Sequence, residues 1–329
     1  MPPEKNSPPP GCLAPTLLRA ASILLSFALL LSAGSCGGPA DIADGEVTEE
    51  PPVEEVPPPV LEEEDWQQQM SEMEEMPTPP PAPPAAERQR PGTSPDNGDF
   101  LPLYATPSNP AFANIEQAFK SARILESIAT DLNQNIAMPR NVTLTLRECG
   151  RVNAMYEPRE QRISMCYEFV DYVGKLFARS VSTEQQAAQG MSSTMYFVFY
   201  HEIAHALVDV LKLPATGGGE DIADQLSVYV LINGGEQGEQ MAFNAALFWL
   251  ILEKQNKLAG AGDAPWDEHL THGQRFYNII CLLYGSNPTK YSRLVPQTLP
   301  ENRAAQCPGD YERFVKAWNH VLAPHIKQQ

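Results

Sequence analysis

The chain has 329 residues, with 23 Lys and Arg against 41 Asp and Glu, giving a formal net charge of −18. That length allows one large domain or two small ones. No clustered basic face is visible, which sets nucleic acid aside as a partner.

The first element in chain order is a targeting segment rather than fold. Lys5 and Arg19 precede the apolar run ASILLSFALLLSA, Ala21 to Ala33, which leads into Gly34, Ser35 and Cys36. The run is too short for an ordinary membrane span and ends in small residues, so residues 1–36 read as an export signal. Ala33 and Ser35 suit ordinary signal cleavage. AGSC resembles a bacterial lipobox instead, with Cys36 as the acylated first residue. Ala33 stands where that motif usually has leucine, and the leader ahead of the run is long and proline-rich.

Cleavage would leave Cys36, Cys149, Cys166, Cys281 and Cys307, an odd number for an oxidising compartment. A lipid on Cys36 leaves four to pair. Cys149–Cys166 with Cys281–Cys307 is the simplest of the three connectivities, each closing a short loop. The expectation is an exported protein, a periplasmic or cell-envelope lipoprotein of a bacterium, that meets the membrane through its lipid alone.

Residues 37–100 read as a disordered linker. Between Asp41 and Glu75 there are fourteen acids and no Lys or Arg, so this stretch carries most of the net charge. Segments such as PPVEEVPPPV cannot bury enough apolar surface to offset the entropy of ordering. The tether suits an enzyme held away from a membrane.

The domain is expected over 101–329. Ile115, Phe119, Leu125, Ile128 and Leu132 recur at helical spacing and predict one helix over 113–134. Val142–Leu146, Val152–Tyr156 and Arg162–Tyr167 are short, β-rich and separated by turn residues, which predicts a small antiparallel sheet. Helices follow over 168–179, 194–213, 222–232, 240–254, 273–284 and 311–322. The fold class is α+β, a small sheet followed by a mostly helical half.

One of those helices contains FYHEIAHALVDVL. His201 and His205 lie one turn apart on one face, so both imidazoles reach a single metal ion. Glu202 is offset by about 100° around the helix, placed to take a proton from water without itself being a ligand. The flanking residues are apolar nearly all round, so the helix should be buried and its histidines partnered. Val208 and Leu211 stand where a third histidine subclass needs Gly and His. A downstream carboxylate is the candidate third ligand, and finding one separates a metal site from a chance match on a core helix. Glu220 opens the next helix after Gly217–Gly219, and Asp224, one turn on, can orient a ligating histidine. Asp221 stays open as the alternative third ligand, and Asp209 as a further supporting carboxylate. His201, His205 and Glu220 around Zn2+ leave a fourth position for water, as catalysis requires.

Together these motifs resemble the bacterial zinc metallopeptidase family called domain of unknown function 4344. The resemblance rests on CGRVNAMYEP with RISMCYE, on HEIAHALVDVLKLPATGGGEDIADQ, and on DEHLTHGQRFYNIICLLYG with a late Cys-Pro. It covers roughly the last 230 residues and implies a zincin-like peptidase with a glutamate third ligand, acting on peptide or protein substrates. Amide hydrolysis also needs a group that stabilises the oxyanion. In WDEHLTHGQRFY, His269 is the first candidate and Arg275 the second. Tyr200, Tyr229 and Tyr277 read as core aromatics, and His320 and His325 as surface residues. The competing reading is a non-catalytic envelope lipoprotein that uses the same fold for binding or structure. Oligomeric state is not legible.

Overall fold

A computed structural model describes residues 94–214, 219–258 and 270–327. The expected export signal, Cys36, most of the acidic tether, Gly217 and His269 lie outside the described residues. The chain joins the fold before residue 101. The Asn97 amide donates to the Met138 carbonyl at 2.8 Å, and Phe100 is fully buried.

Strand β1 (Phe100–Tyr104) is followed by a 3-10 turn at Pro110–Phe112 and two helices, α1 (Ala113–Ala122) and α2 (Ile124–Asn135). The single helix expected here is broken at Arg123, whose φ of 52° is left-handed. Apolar spacing continues through the break, so periodicity alone does not reveal it. Three strands then follow, β2 (Val142–Arg147), β3 (Ala154–Glu157) and β4 (Arg162–Cys166).

The sheet order is β1-β2-β4-β3. β1 pairs parallel to β2 and β2 parallel to β4, while only β3 runs antiparallel, against β4. The α+β class holds, but the sheet is mixed rather than antiparallel throughout. The physical reason is β1. Parallel neighbours need a crossover connection, and α1 with α2 supplies it between β1 and β2. Strand β1 carries Pro102 at the expected domain boundary, which hid it as a strand.

The helical half comprises α3 (Tyr167–Ser180), α4 (Glu184–Leu211), α5 (Gly219–Asn233), α6 (Gly235–Leu258), α7 (His272–Ser286), a single turn at Glu301–Ala304, and α8 (Cys307–Leu322). Helix α4 begins ten residues before the expected start, where the Thr183 hydroxyl caps it by accepting from the Gln186 amide at 3.2 Å. Phe197, Phe199, Ile203, Ala204, Ala206 and Leu207 are buried on all sides of α4, which packs against α3, α5, α6 and strands β3 and β4. A β-carbon at Gly238 would collide with the Leu231 carbonyl, so glycine there lets α6 close on α5.

Two disulfides are present. Cys149–Cys166 and Cys281–Cys307 have Cα separations of 5.5 and 5.2 Å. The first ties the end of β4 to the loop after β2, and the second ties α7 to α8. Tyr200 and Tyr229 are buried as expected, whereas Tyr277 is exposed on the outer face of α7. His325 is buried rather than exposed, and its Nδ1 lies 2.7 Å from the Ser94 hydroxyl. Among the described residues no helix is long and apolar enough to cross a membrane.

Candidate active site

Helices α4 and α5 pack side by side, and their facing polar residues meet in an otherwise apolar layer. His201 and His205, one turn apart, bring their Nε2 atoms to 3.2 Å. Glu220, in the first turn of α5, places its two carboxylate oxygens 3.0 Å from His201 Nε2 and 3.5 Å from His205 Nε2. The three residues offer donor atoms that all lie within 4.8 Å of one another. Two ring nitrogens and one carboxylate sharing so small a volume are the borderline-soft donor set that suits zinc.

The far side of His201 is held by a chain of contacts. Its Nδ1 lies 2.9 Å from Asp224 Oδ1. Asp224 is gripped by Arg275, whose Nε donates to Oδ2 at 2.7 Å and whose Nη2 donates to Oδ1. The guanidinium lies 3.5 Å over the Trp249 ring. His201, Asp224, Arg275 and Trp249 are all buried. With Nδ1 donating to Asp224, the Nε2 lone pair is left for a cation.

Electrostatics agree with that arrangement. Burial opposes the protonated form of His201, but hydrogen bonds to Asp224 and Glu220 outweigh it and raise the pKa to about 9. Burial works against the Asp224 carboxylate, yet Arg275 and His201 hold its pKa below the usual range. The cluster thus has an excess of negative charge that a proton or a divalent cation neutralises. Burial raises the pKa of Glu202, the residue after the first histidine, only partly countered by neighbouring His201.

Glu202 shares with His201, His205 and Glu220 the wall of a groove of about 680 Å³. Along α4 the groove runs from Val198 to Asp209, a rise of about 16 Å for eleven residues. Across from α4 lie Ala154, Met155 and Tyr156 of β3, one of the two edge strands of the sheet. Phe169 and Trp249 add aromatic rings to the groove's lining.

Residues 104–322 match the family model described as "Putative metallopeptidase", domain of unknown function 4344. The chain belongs to this family. No curated protein and no solved structure matches it. Membership makes the chain a metallopeptidase at the level at which the family is described, and the site sits inside the matched span.

For this metallopeptidase, the residues singled out by sequence fall into three groups. His201, His205, Glu220, Glu202 and Asp224 come together. Asp221 instead accepts from Gln225 Nε2 at 2.8 Å and lines a different cavity. Arg275 is present but is not an unengaged electrophile, because its guanidinium is committed to Asp224. Asp209 lines the groove, yet its carboxylate is engaged by Tyr156, Lys212 and Arg140 rather than by a histidine. Sequence reasoning passed over Tyr156, Phe169 and Trp249. They reach the groove from three other elements, and no local spacing points to them.

Proposed function

We propose that the chain is a zinc-dependent peptidase in which His201, His205 and Glu220 hold the metal and Glu202 is the general base. The observation that carries this reading is the convergence of two Nε2 atoms and the Glu220 carboxylate beside Glu202 in an open groove. A closed structural zinc site would use four protein ligands and need no groove, which weighs against the non-catalytic alternative. When bound, zinc supplies Lewis acidity, lowering the pKa of water towards ~7 and polarising the scissile carbonyl.

The chain's own groups do the rest. Glu202, kept basic by burial, takes a proton from the attacking water and returns it to the leaving amine. Asp224 and Arg275 fix the His201 ring and its tautomer. β3 offers an edge along the groove, which suits an extended peptide adding as a further strand. His269 keeps, from sequence, the role of oxyanion donor. Arg275 is reassigned from that role to positioning. Upstream, Cys36 is proposed as the lipid-bearing residue of an exported envelope protein. A native mass showing unmodified Cys36 at the mature N-terminus would rule out the anchor.

The test of the activity is Glu202→Gln in the zinc-loaded chain. Hydrolysis of a peptide library should fall by about 10³-fold or more while zinc content stays at the wild-type level. Turnover surviving within about tenfold of wild type would remove Glu202 from the mechanism.

A further inference from the structure

Hydrogen bonds hold the Arg275 guanidinium within its own plane only. It grips Asp224 on two atoms, Nε to Oδ2 at 2.7 Å and Nη2 to Oδ1. A fork of that kind fixes direction and distance in the plane, but does little to stop the plane from tilting. Oδ1 is also the oxygen that meets His201 Nδ1, at 2.9 Å. A tilt of the guanidinium therefore passes through one shared atom to the imidazole.

Trp249 of α6 opposes that tilt. Arg275 Cζ lies 3.5 Å from the centroid of its ring, in contact with the face of the indole. Among the described residues Trp249 Nε1 has no hydrogen-bond partner, so ring contacts hold the indole. Phe248 and Phe197 meet it edge-on, with centroids at 4.8 and 6.5 Å. His272 stacks on it at 5.6 Å. His272 and Arg275 are three positions apart on α7, so they share a face of that helix, and one indole serves both. The chain of contacts runs from Trp249 to Arg275, then Asp224, then His201, and each step is a direct one.

We propose that Trp249 is a positioning residue for the metal ligand His201, acting through Arg275 and Asp224. The inference rests on the metal-site reading above. It goes beyond that reading by assigning the hold on His201 to the stacked ring as well as to the ion pair. A cation is drawn to the electron density of an aromatic face. Zinc affinity should then depend on that density, a property that a residue used only for packing does not need.

The experiment measures the Kd for zinc by competition with a chromophoric chelator, in the full chain. Arg275→Gln should weaken zinc by about 10- to 100-fold, and Trp249→Leu by about tenfold. Trp249→Phe keeps an aromatic face and should stay within about threefold of wild type. The double variant Trp249→Leu/Arg275→Gln should be no weaker than Arg275→Gln alone, since both break one chain. Phe248→Leu is the packing control: Phe248 is buried against Trp249 without serving Arg275, and zinc should again stay within about threefold. A fluorinated tryptophan placed at 249 alone keeps the shape of the ring and withdraws charge from its face. It should weaken zinc by about threefold or more, and it decides the question if Trp249→Leu does not fold. A metal-free readout is exchange of the Arg275 Nε proton with solvent, followed by NMR. It should accelerate by about tenfold or more in Trp249→Leu and stay slow in Phe248→Leu. Zinc affinity unmoved by fluorination, or an equal loss in Phe248→Leu, overturns the proposal. Zinc bound with the expected dependence on residue 249 in a chain that hydrolyses nothing would uphold it and overturn the peptidase reading instead.

Discussion

Asp131 on α2 shows how far a single buried carboxyl departs from ordinary behaviour. Its Oδ1 accepts from Asn135 Nδ2 at 3.3 Å, while Oδ2 is buried with no hydrogen-bond partner among the described residues. Burial raises its pKa from 3.8 to about 7. The sign follows from linkage: between about pH 4 and 7 the folded chain binds a proton that the unfolded chain has released. This group's contribution to stability is therefore full at acid pH, declines as pH rises towards 7, and is flat above. An asparagine side chain in its place would resemble the protonated form at every pH. After allowance for screening by the water that reaches this side chain, Asp131→Asn should stabilise the domain by about 1–2 kcal/mol at about pH 8. The gain should vanish near about pH 4. Urea unfolding at both pH values checks it, and a gain of equal size at both would contradict the linkage. Asp131 is far from the metal cluster in sequence, and its environment is set by tertiary packing, so no motif announces it.

Among the elements, α4 was the most legible. Its apolar residues surround two histidines and an acid, which demands burial with partners, and α5 follows closely enough to supply them. His201, Glu202, His205, Glu220 and Asp224 are readable because their geometry is local: one helix, a short connection and the first turns of the next helix. Tyr156 and Trp249 were opaque for the opposite reason. Tyr156 meets Asp209 across 53 positions of sequence, a contact that the β3–α4 packing creates. The strand β1 was hidden by Pro102, and the break at Arg123 by unbroken apolar spacing. Arg275 was ambiguous in sequence, since its residue type fitted both the oxyanion role and an ion pair. Only the fold shows Asp224 within reach at 2.7 Å, and a buried guanidinium paired on two atoms is costly to free for another task.

Across the whole molecule, the acidic stretch of 41–75 and the domain make separate contributions. The net charge of −18 resides mostly in the former, so it says little about the groove. Within the domain, the sheet edge, the central helix α4 and the α5–α7 pair surround one groove. Family membership covers 104–322, and that span contains every group in the cluster. On the proposed reading, hydrolysis depends on a metal held by this cluster. The most direct test is the zinc content of the purified, folded chain, beside a His201→Ala/His205→Ala variant checked for native helicity by circular dichroism. One zinc per wild-type chain and none in the variant is the predicted result. Stoichiometric zinc persisting in the folded double variant would contradict it.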